Sequence, residues 1–177
     1  MSLFMFRVSI AFLFFIICVL VLVGYLLVQG SLSVPWVRTH GGMSRRMLEL
    51  AGFKPGMRVL DLGSGDGSIV FQAVAMGGEG IGMERLRPLV LYSRLLSSRL
   101  GQGRATFRRG NILKDELPEA DIVTAYLFPK VNRRLEPRLR ERFPAGTRVV
   151  SRDFMFPTLR KLTSEHHGNS TLHVYEL

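Results

Sequence analysis

One cysteine, Cys18, serves a chain of 177 residues. No intramolecular disulfide and no thiolate metal site can therefore be built within it, and a reducing compartment suits it. Acidic residues are scarce, 14 against 24 basic, for a formal net charge of +10. Arg7 is the only charged residue before position 30, so residues 30–177 carry 23 basic and 14 acidic groups, a net +9. Such an excess selects an anionic neighbour, whether lipid headgroups, an acidic protein face or nucleic acid, and says nothing about fold. Length is limiting too: 177 residues hold one core and exclude a second catalytic domain.

Charge is missing altogether from Val8 to Val28, VSIAFLFFIICVLVLVGYLLV, a run of 21 residues. At about 1.5 Å per residue a helix of this length spans roughly 30 Å, the thickness of a bilayer core. A secretory signal peptide competes, with Arg7 as its basic flank. Its apolar stretch would normally be about 7–15 residues followed by an A-x-A pattern, which is absent. The reading is a retained single-pass anchor, residues 1–29, crossing the bilayer through residues 8–28. Arg38, Arg45 and Arg46 follow the span closely, which places the remainder of the chain on the cytoplasmic side. Residues 30–40 form a linker in which Gly30, Ser31, Ser33 and Pro35 break periodicity and Trp36 suits a membrane interface. The folded domain is expected over residues 41–177.

Within that domain, Met43, Met47, Leu48 and Ala51 share one helical stripe, with Arg45 and Arg46 off it. Strand-like and helix-like pieces then alternate: MRVLDL, GSIVFQAVAM, GEGIGMER, PLVLYSRLLSSRL, RATFRRG and DIVTAYLF. A helix over about 131–142 and the strand TRVVSRDF continue the repetition. This β-α pattern predicts an α/β, Rossmann-like, doubly wound and mostly parallel sheet. TLRKLTSE and STLHVYEL flank HHGN and predict a C-terminal antiparallel hairpin.

The segment MRVLDLGSGDGSIV carries the most chemistry, with Asp61 ahead of Gly63, Ser64, Gly65 and Gly67 between a predicted strand and helix. Glycines there turn the chain tightly and admit a ligand where a Cβ would collide, while the helix offers free N–H groups to an anionic group. No G-x-x-x-x-G-K-[ST] run is present, which disfavours ATP, and Ser68 stands where a dinucleotide fingerprint wants glycine or alanine. In a site of this class the anionic group is the methionine carboxylate of S-adenosylmethionine, which has no phosphate and needs no phosphate cradle; the alternative is a merely tight βα turn. Glu84, 23 positions after Asp61, ends the second predicted strand, where a carboxylate accepts both ribose hydroxyls. Otherwise it is a surface acid beside Arg85 and Arg87. Asn111 follows the third strand and either bonds the adenine through its amide or makes a Gly-Asn turn.

Together PWVRT, DLGSGDGSIV, GMERL, RRGNILKDEL, ADIVTAYLFPKVNRRLEPRL and GTRVVSRDFMFP resemble the small seven-strand-type protein-lysine methyltransferases. That family includes archaeal broad-specificity enzymes and membrane-anchored mitochondrial relatives, and the resemblance covers about residues 34–176. It implies S-adenosylmethionine as cofactor, with Asp61, Gly63, Gly65, Glu84 and Asn111 lining its pocket and Val34 to Thr39 closing the active site. It also implies a protein substrate, which the anchor makes membrane-associated. Two departures stand out: PWVRT replaces a V-P-T type segment, and no helix fits between Phe154 and Leu159.

For a lysine acceptor the enzyme must align a neutral amine and exclude water. Tyr126 and Phe128, just past the fourth strand, are candidates for an aromatic wall, with Asp153 orienting the amine. The alternatives are core packing for Phe128 and a solvated acid for Asp153. The [DN]-P-P-[YF] signature associated with nucleobase or glutamine methylation is absent. His166 and His167 lack further ligands, so no metal is expected and the pair reads as exposed turn residues. The helix RRLEPRLRER lacks interleaved aromatics and reads as a solvated or membrane-facing surface, with nucleic acid disfavoured. A methyltransferase for lipid, quinone or RNA, and a non-catalytic binding module, are the competing functions.

Overall fold

A computed structural model describes residues 12–24, 41–100 and 103–177. The chain divides into two units, Met1–Pro35 and Trp36–Leu177. In the first, residues 12–24 are helical (α1), and their large apolar side chains are exposed, Leu20 by 64% and Val21 by 65%. The rest of the predicted 8–28 span lies outside the described residues. Among the described residues no helix is long and apolar enough to cross a membrane. The predicted linker and closing segment, residues 30–40 with Trp36, also fall outside them.

In the second unit the order is α2 (Gly41–Leu50), β1 (Arg58–Leu62), α3 (Ser68–Ala75), β2 (Glu79–Glu84), α4 (Arg87–Leu100) and β3 (Ala105–Arg109). There follow β4 (Ile122–Ala125), α5 (Pro129–Arg142), β5 (Arg148–Arg152), β6 (Arg160–His167) and β7 (Ser170–Glu176). The seven strands form one sheet in the order β3-β2-β1-β4-β5-β7-β6. Strands β1 to β5 pair in parallel, and β7 pairs antiparallel with both β5 and β6. The expected sheet and hairpin are therefore both present. The hairpin turn is Gly168-Asn169, since His167 pairs with Ser170, and φ of +60° at Gly168 suits the first central position of a II′ turn. His166 and His167 end β6 instead of lying in the turn, with His166 Nδ1 3.0 Å from Thr171 Oγ1.

Burial explains the patterns. Strand β4 is buried along its length and β1 after its first residue, as parallel strands covered on both faces must be. The α2 stripe supplies Met47, Leu48 and Ala51 to a core shared with Ile69 and Ala73 of α3 and with Val59, Ile122, Val150, Leu172 and Val174 of the sheet. Met47 and Leu48 are fully buried, each stabilising the fold by roughly 2–3 kcal/mol. Helix α5 begins with Pro129 at its first turn, where the missing N–H costs nothing, and buries Leu135 and Leu139. Strand order reverses at β1, with β2 on one side and β4 on the other, so a crevice opens beyond the carboxyl ends of β1 and β4.

Candidate active site

The turn leaving β1 enters that crevice and is tied to β2. The N–H groups of Gly63 and Ser64 both donate to the Met83 carbonyl, at 2.8 and 3.1 Å. Glu84 lies beside it: its carboxylate accepts from the Gly65 N–H at 3.1 Å and the Leu86 N–H at 2.8 Å. The Ser93 hydroxyl of α4 donates to the Gly65 carbonyl at 3.2 Å. Gly67 adopts φ +82°, and a Cβ there would lie 2.5 Å from the Phe107 ring, so its glycine is demanded by packing and by left-handed backbone as well as by any ligand. Gly82 of β2 is needed for a similar reason, since a Cβ would meet Ser64 Oγ and Phe107 at 2.5 and 2.6 Å.

Asp61 is buried and accepts a 2.7 Å hydrogen bond from the Thr124 hydroxyl. Burial pushes its carboxyl up to about 7; the Thr124 bond opposes this, and the charges of Glu84 and Asp66 add to it. Three carboxylates thus surround one turn, a field that favours a cation. The Ser64 hydroxyl is buried with no hydrogen-bond partner among the described residues. An orphaned polar atom of this kind asks for a ligand. S-adenosylmethionine fits both features, carrying a sulfonium and an ammonium for the acids and polar atoms for Ser64. Asn111 follows β3 as expected, but its side-chain oxygen accepts from the Leu113 N–H at 3.0 Å, while its own N–H donates to Asp115 at 2.7 Å. The turn-forming reading therefore holds for the oxygen, and only the amide NH2 remains to meet an adenine. Among the described residues no group of three or more His, Cys, Asp or Glu could hold a metal ion.

The second wall comes from β4 and β5. Tyr126 stacks on Phe154 at 6.0 Å between ring centroids, and Phe128 meets Phe154 edge-on at 5.3 Å. All three rings are half-buried. Phe128 is thus neither wholly core nor free, and Phe154, which the sequence did not single out, is the centre of the group. The Arg152 guanidinium lies 4.5 Å from the Tyr126 ring centroid. Burial raises the Tyr126 pKa, so its hydroxyl stays neutral. The two walls touch, because a Cβ at Gly63 would lie 3.2 Å from Leu127, the residue between Tyr126 and Phe128.

Asp153 departs from expectation. Its carboxylate accepts from the Thr171 N–H at 2.9 Å and the Ser170 hydroxyl at 3.2 Å, and it pairs with Arg152 Nε at 3.4 Å. With those partners it fastens the end of β5 to β7. It is also the one non-glycine residue with positive φ among the described residues, +60°. The loop after it is clamped by α5: buried Asn132 donates to the carbonyls of Phe154 and Met155 at 3.1 and 3.3 Å, and buried Glu136 accepts from the Thr158 N–H at 3.2 Å. No helix occupies residues 153–159, as their spacing implied. Three of the five α5 arginines are engaged too, Arg138, Arg140 and Arg142 each donating to a backbone carbonyl outside the helix at 2.7 Å. These three lace loops to α5, while the solvated surface expected from the sequence persists at Lys130, Arg133 and Arg134.

Comparison with known proteins agrees with this crevice. Residues 61–163 match the family described as ANTKMT methyltransferase domain. A protein-lysine N-methyltransferase of Saccharolobus islandicus is 38% identical over 128 residues, covering 68% of this chain and 77% of that protein. The adenine nucleotide translocase lysine N-methyltransferase of Mus musculus is 32% identical over 156 residues, covering 87% of this chain and 68% of that protein. A crystal structure described as an RNA methyltransferase from Salinibacter ruber, in complex with S-adenosyl-L-homocysteine, has a TM-score of 0.74 at 35% identity, covering 79% of this chain and 93% of that one.

Proposed function

The chain belongs to the ANTKMT methyltransferase domain family and is an S-adenosylmethionine-dependent methyltransferase, and from that premise we propose that its methyl acceptor is a lysine side chain of a membrane-associated protein. The observation that carries the reading is the contact between the Gly63–Gly67 turn, which Glu84 braces, and segment 126–128, which sets a cation-favouring pocket against an aromatic shelf. Two relatives named as lysine methyltransferases support it, and one of those acts on a translocase by its name.

In this reading Asp61, Gly63, Ser64, Gly65, Gly67, Glu84 and Asn111 hold the cofactor in the domain formed by residues 41–177. The bound cofactor supplies a methyl group already activated on sulfonium sulfur, so the chain need not provide a strong base. What its residues must do is deliver a neutral amine in line and keep water out. Tyr126, Phe128 and Phe154 pack against the alkyl stem of the incoming lysine and desolvate its nitrogen, which disfavours the ammonium form. Arg152, a fixed positive charge behind the Tyr126 ring, works in the same direction. Asp153 acts at one remove, keeping Phe154 and Arg152 in place. The uncharged run 8–28 anchors the chain in a bilayer with the catalytic domain on the cytoplasmic side. Alkaline extraction of membranes tests that anchor, for an anchored chain stays in the pellet.

The acceptor class is tested by incubating the detergent-solubilised full chain with host membranes and radiolabelled cofactor, then separating protein, lipid and RNA. Label in protein, mapped to lysine by mass spectrometry, is the expected result. Label confined to lipid, or to RNA as the description of the Salinibacter structure would suggest, overturns the lysine assignment.

A further inference from the structure

Helix α4 faces two environments. Val90 and Ser93 turn inward, Val90 into the core with Ala105 and Phe107, and Ser93 onto the Gly65 carbonyl. The opposite face leaves Leu91, Tyr92 and Leu95 exposed by 55%, 51% and 60%. They are three of the five large apolar side chains described as exposed in residues 41–177, Met155 and Leu162 being the others. At about 100° per residue, Leu91 and Leu95 form a narrow aliphatic stripe with Arg87 and Arg94 along one border and Tyr92 and Arg99 along the other.

The charge around this stripe has one sign. Residues 85–110 contain seven arginines and no acidic residue. Among the described residues none of the seven pairs with a carboxylate, in contrast to Arg46, Arg58, Arg148 and Arg160, which all do. Arg108 and Arg109 lie exposed on β3, the edge strand against which α4 packs, and Arg104 is exposed in the turn just before it. Arg94 reaches toward that strand, donating to the Phe107 carbonyl at 2.9 Å.

We propose that α4 and the β3 edge form an interfacial docking face that lies on an anionic lipid surface, with Leu91, Tyr92 and Leu95 entering the headgroup region and the flanking arginines binding lipid phosphates. An aliphatic stripe bordered by guanidinium groups, with a tyrosine at its margin, matches the chemistry of such an interface. An RNA surface would want several stacking rings, and this face offers one. The face is separate from the apolar run at 8–28, and neither assignment requires the other. It lies on the helix that begins three residues after Glu84, so lipid contact bears on the cofactor side of the crevice.

The test places an environment-sensitive NBD fluorophore on Leu95→Cys in a Cys18→Ala full-length chain, with Thr163→Cys on the opposite edge strand β6 as the control site. Retained cofactor binding certifies that each labelled chain is folded. Vesicles of phosphatidylcholine alone receive an apolar N-terminal run as readily as charged ones, so the difference between lipid compositions isolates α4. With added phosphatidylserine, emission from position 95 should shift to the blue and intensify, the shift should reverse in high salt, and position 163 should stay unchanged. Arg87→Gln with Arg99→Gln should weaken the response about tenfold or more. An equal response in pure phosphatidylcholine, no response at 95, or a response to an RNA oligonucleotide in place of vesicles would each overturn the docking face.

Discussion

The two walls of the crevice are made by different means. On the cofactor side the polypeptide backbone does the work: Gly63, Gly65 and Gly67 all take positive φ, and Glu84 and the Met83 carbonyl fix the turn through its own N–H groups. On the acceptor side, side chains do it: two rings meet Phe154, Asn132 of α5 holds that loop, and Asp153 ties it to β7. The first wall is local and tolerates little change. The second is assembled from residues far apart in sequence and is open to re-tailoring for another acceptor.

Substitutions on the two walls should separate cofactor affinity from acceptor turnover. The largest effect belongs to Gly67→Val. Left-handed backbone costs a β-branched residue about 1–3 kcal/mol and the collision with Phe107 a similar amount, so calorimetry should detect no cofactor binding and the melting temperature should fall. Next is Glu84→Ala, which leaves the N–H groups of Gly65 and Leu86 without their acceptor. A loss of about 2–3 kcal/mol weakens cofactor Kd by roughly a hundredfold while acceptor KM holds. Phe154→Ala should do the reverse, raising acceptor KM about tenfold with cofactor Kd unchanged; a matching loss of cofactor affinity would merge the two walls into one.

The smallest effect is set by pH. The Asp61 carboxyl is raised to about 7 from an ordinary 3.8, so below neutrality it is protonated in the folded chain. Its contribution to the stability of the cofactor-free fold is complete below about pH 4 and is lost as pH rises through about 7. A cationic ligand prefers the ionised acid, so cofactor affinity should move the other way, falling by up to about tenfold for each unit below pH 7. Titration calorimetry in buffers of differing ionisation enthalpy should register proton release on binding. Thr124→Val removes the bond that opposes the shift and should move the midpoint upward.

Local chemistry was legible in the sequence, and distant assembly was not. The run from Asp61 to Gly67 and the acid at position 84 announce themselves because glycine spacing and strand length fix their places without help from elsewhere. Strand β5, the hairpin and the missing helix before Leu159 follow in the same way from periodicity and spacing. Phe154 escaped because a single phenylalanine beside a charged pair looks like any strand end, and only the partners Tyr126 and Phe128 give it meaning. The anchoring contacts of Asp153 escaped for the same reason: its hydrogen-bond partners, Ser170 and Thr171, lie 17 and 18 residues away on another strand. Arg138, Arg140 and Arg142 of α5 looked free because the carbonyls they bind belong to other elements and leave no mark in composition.

Strand β7 has a consequence for how the chain matures. It slots between β5 and β6, so those two strands have no pairing with each other and meet only through residues 170–176. While a ribosome is still making the chain, the parallel strands can assemble as they emerge, but Val149 and Val150 face a bare sheet edge until Ser170 to Glu176 have been translated. Vectorial synthesis therefore completes the sheet late, and chaperones guarding nascent chains have a defined stretch of unpaired backbone to shield in the interval.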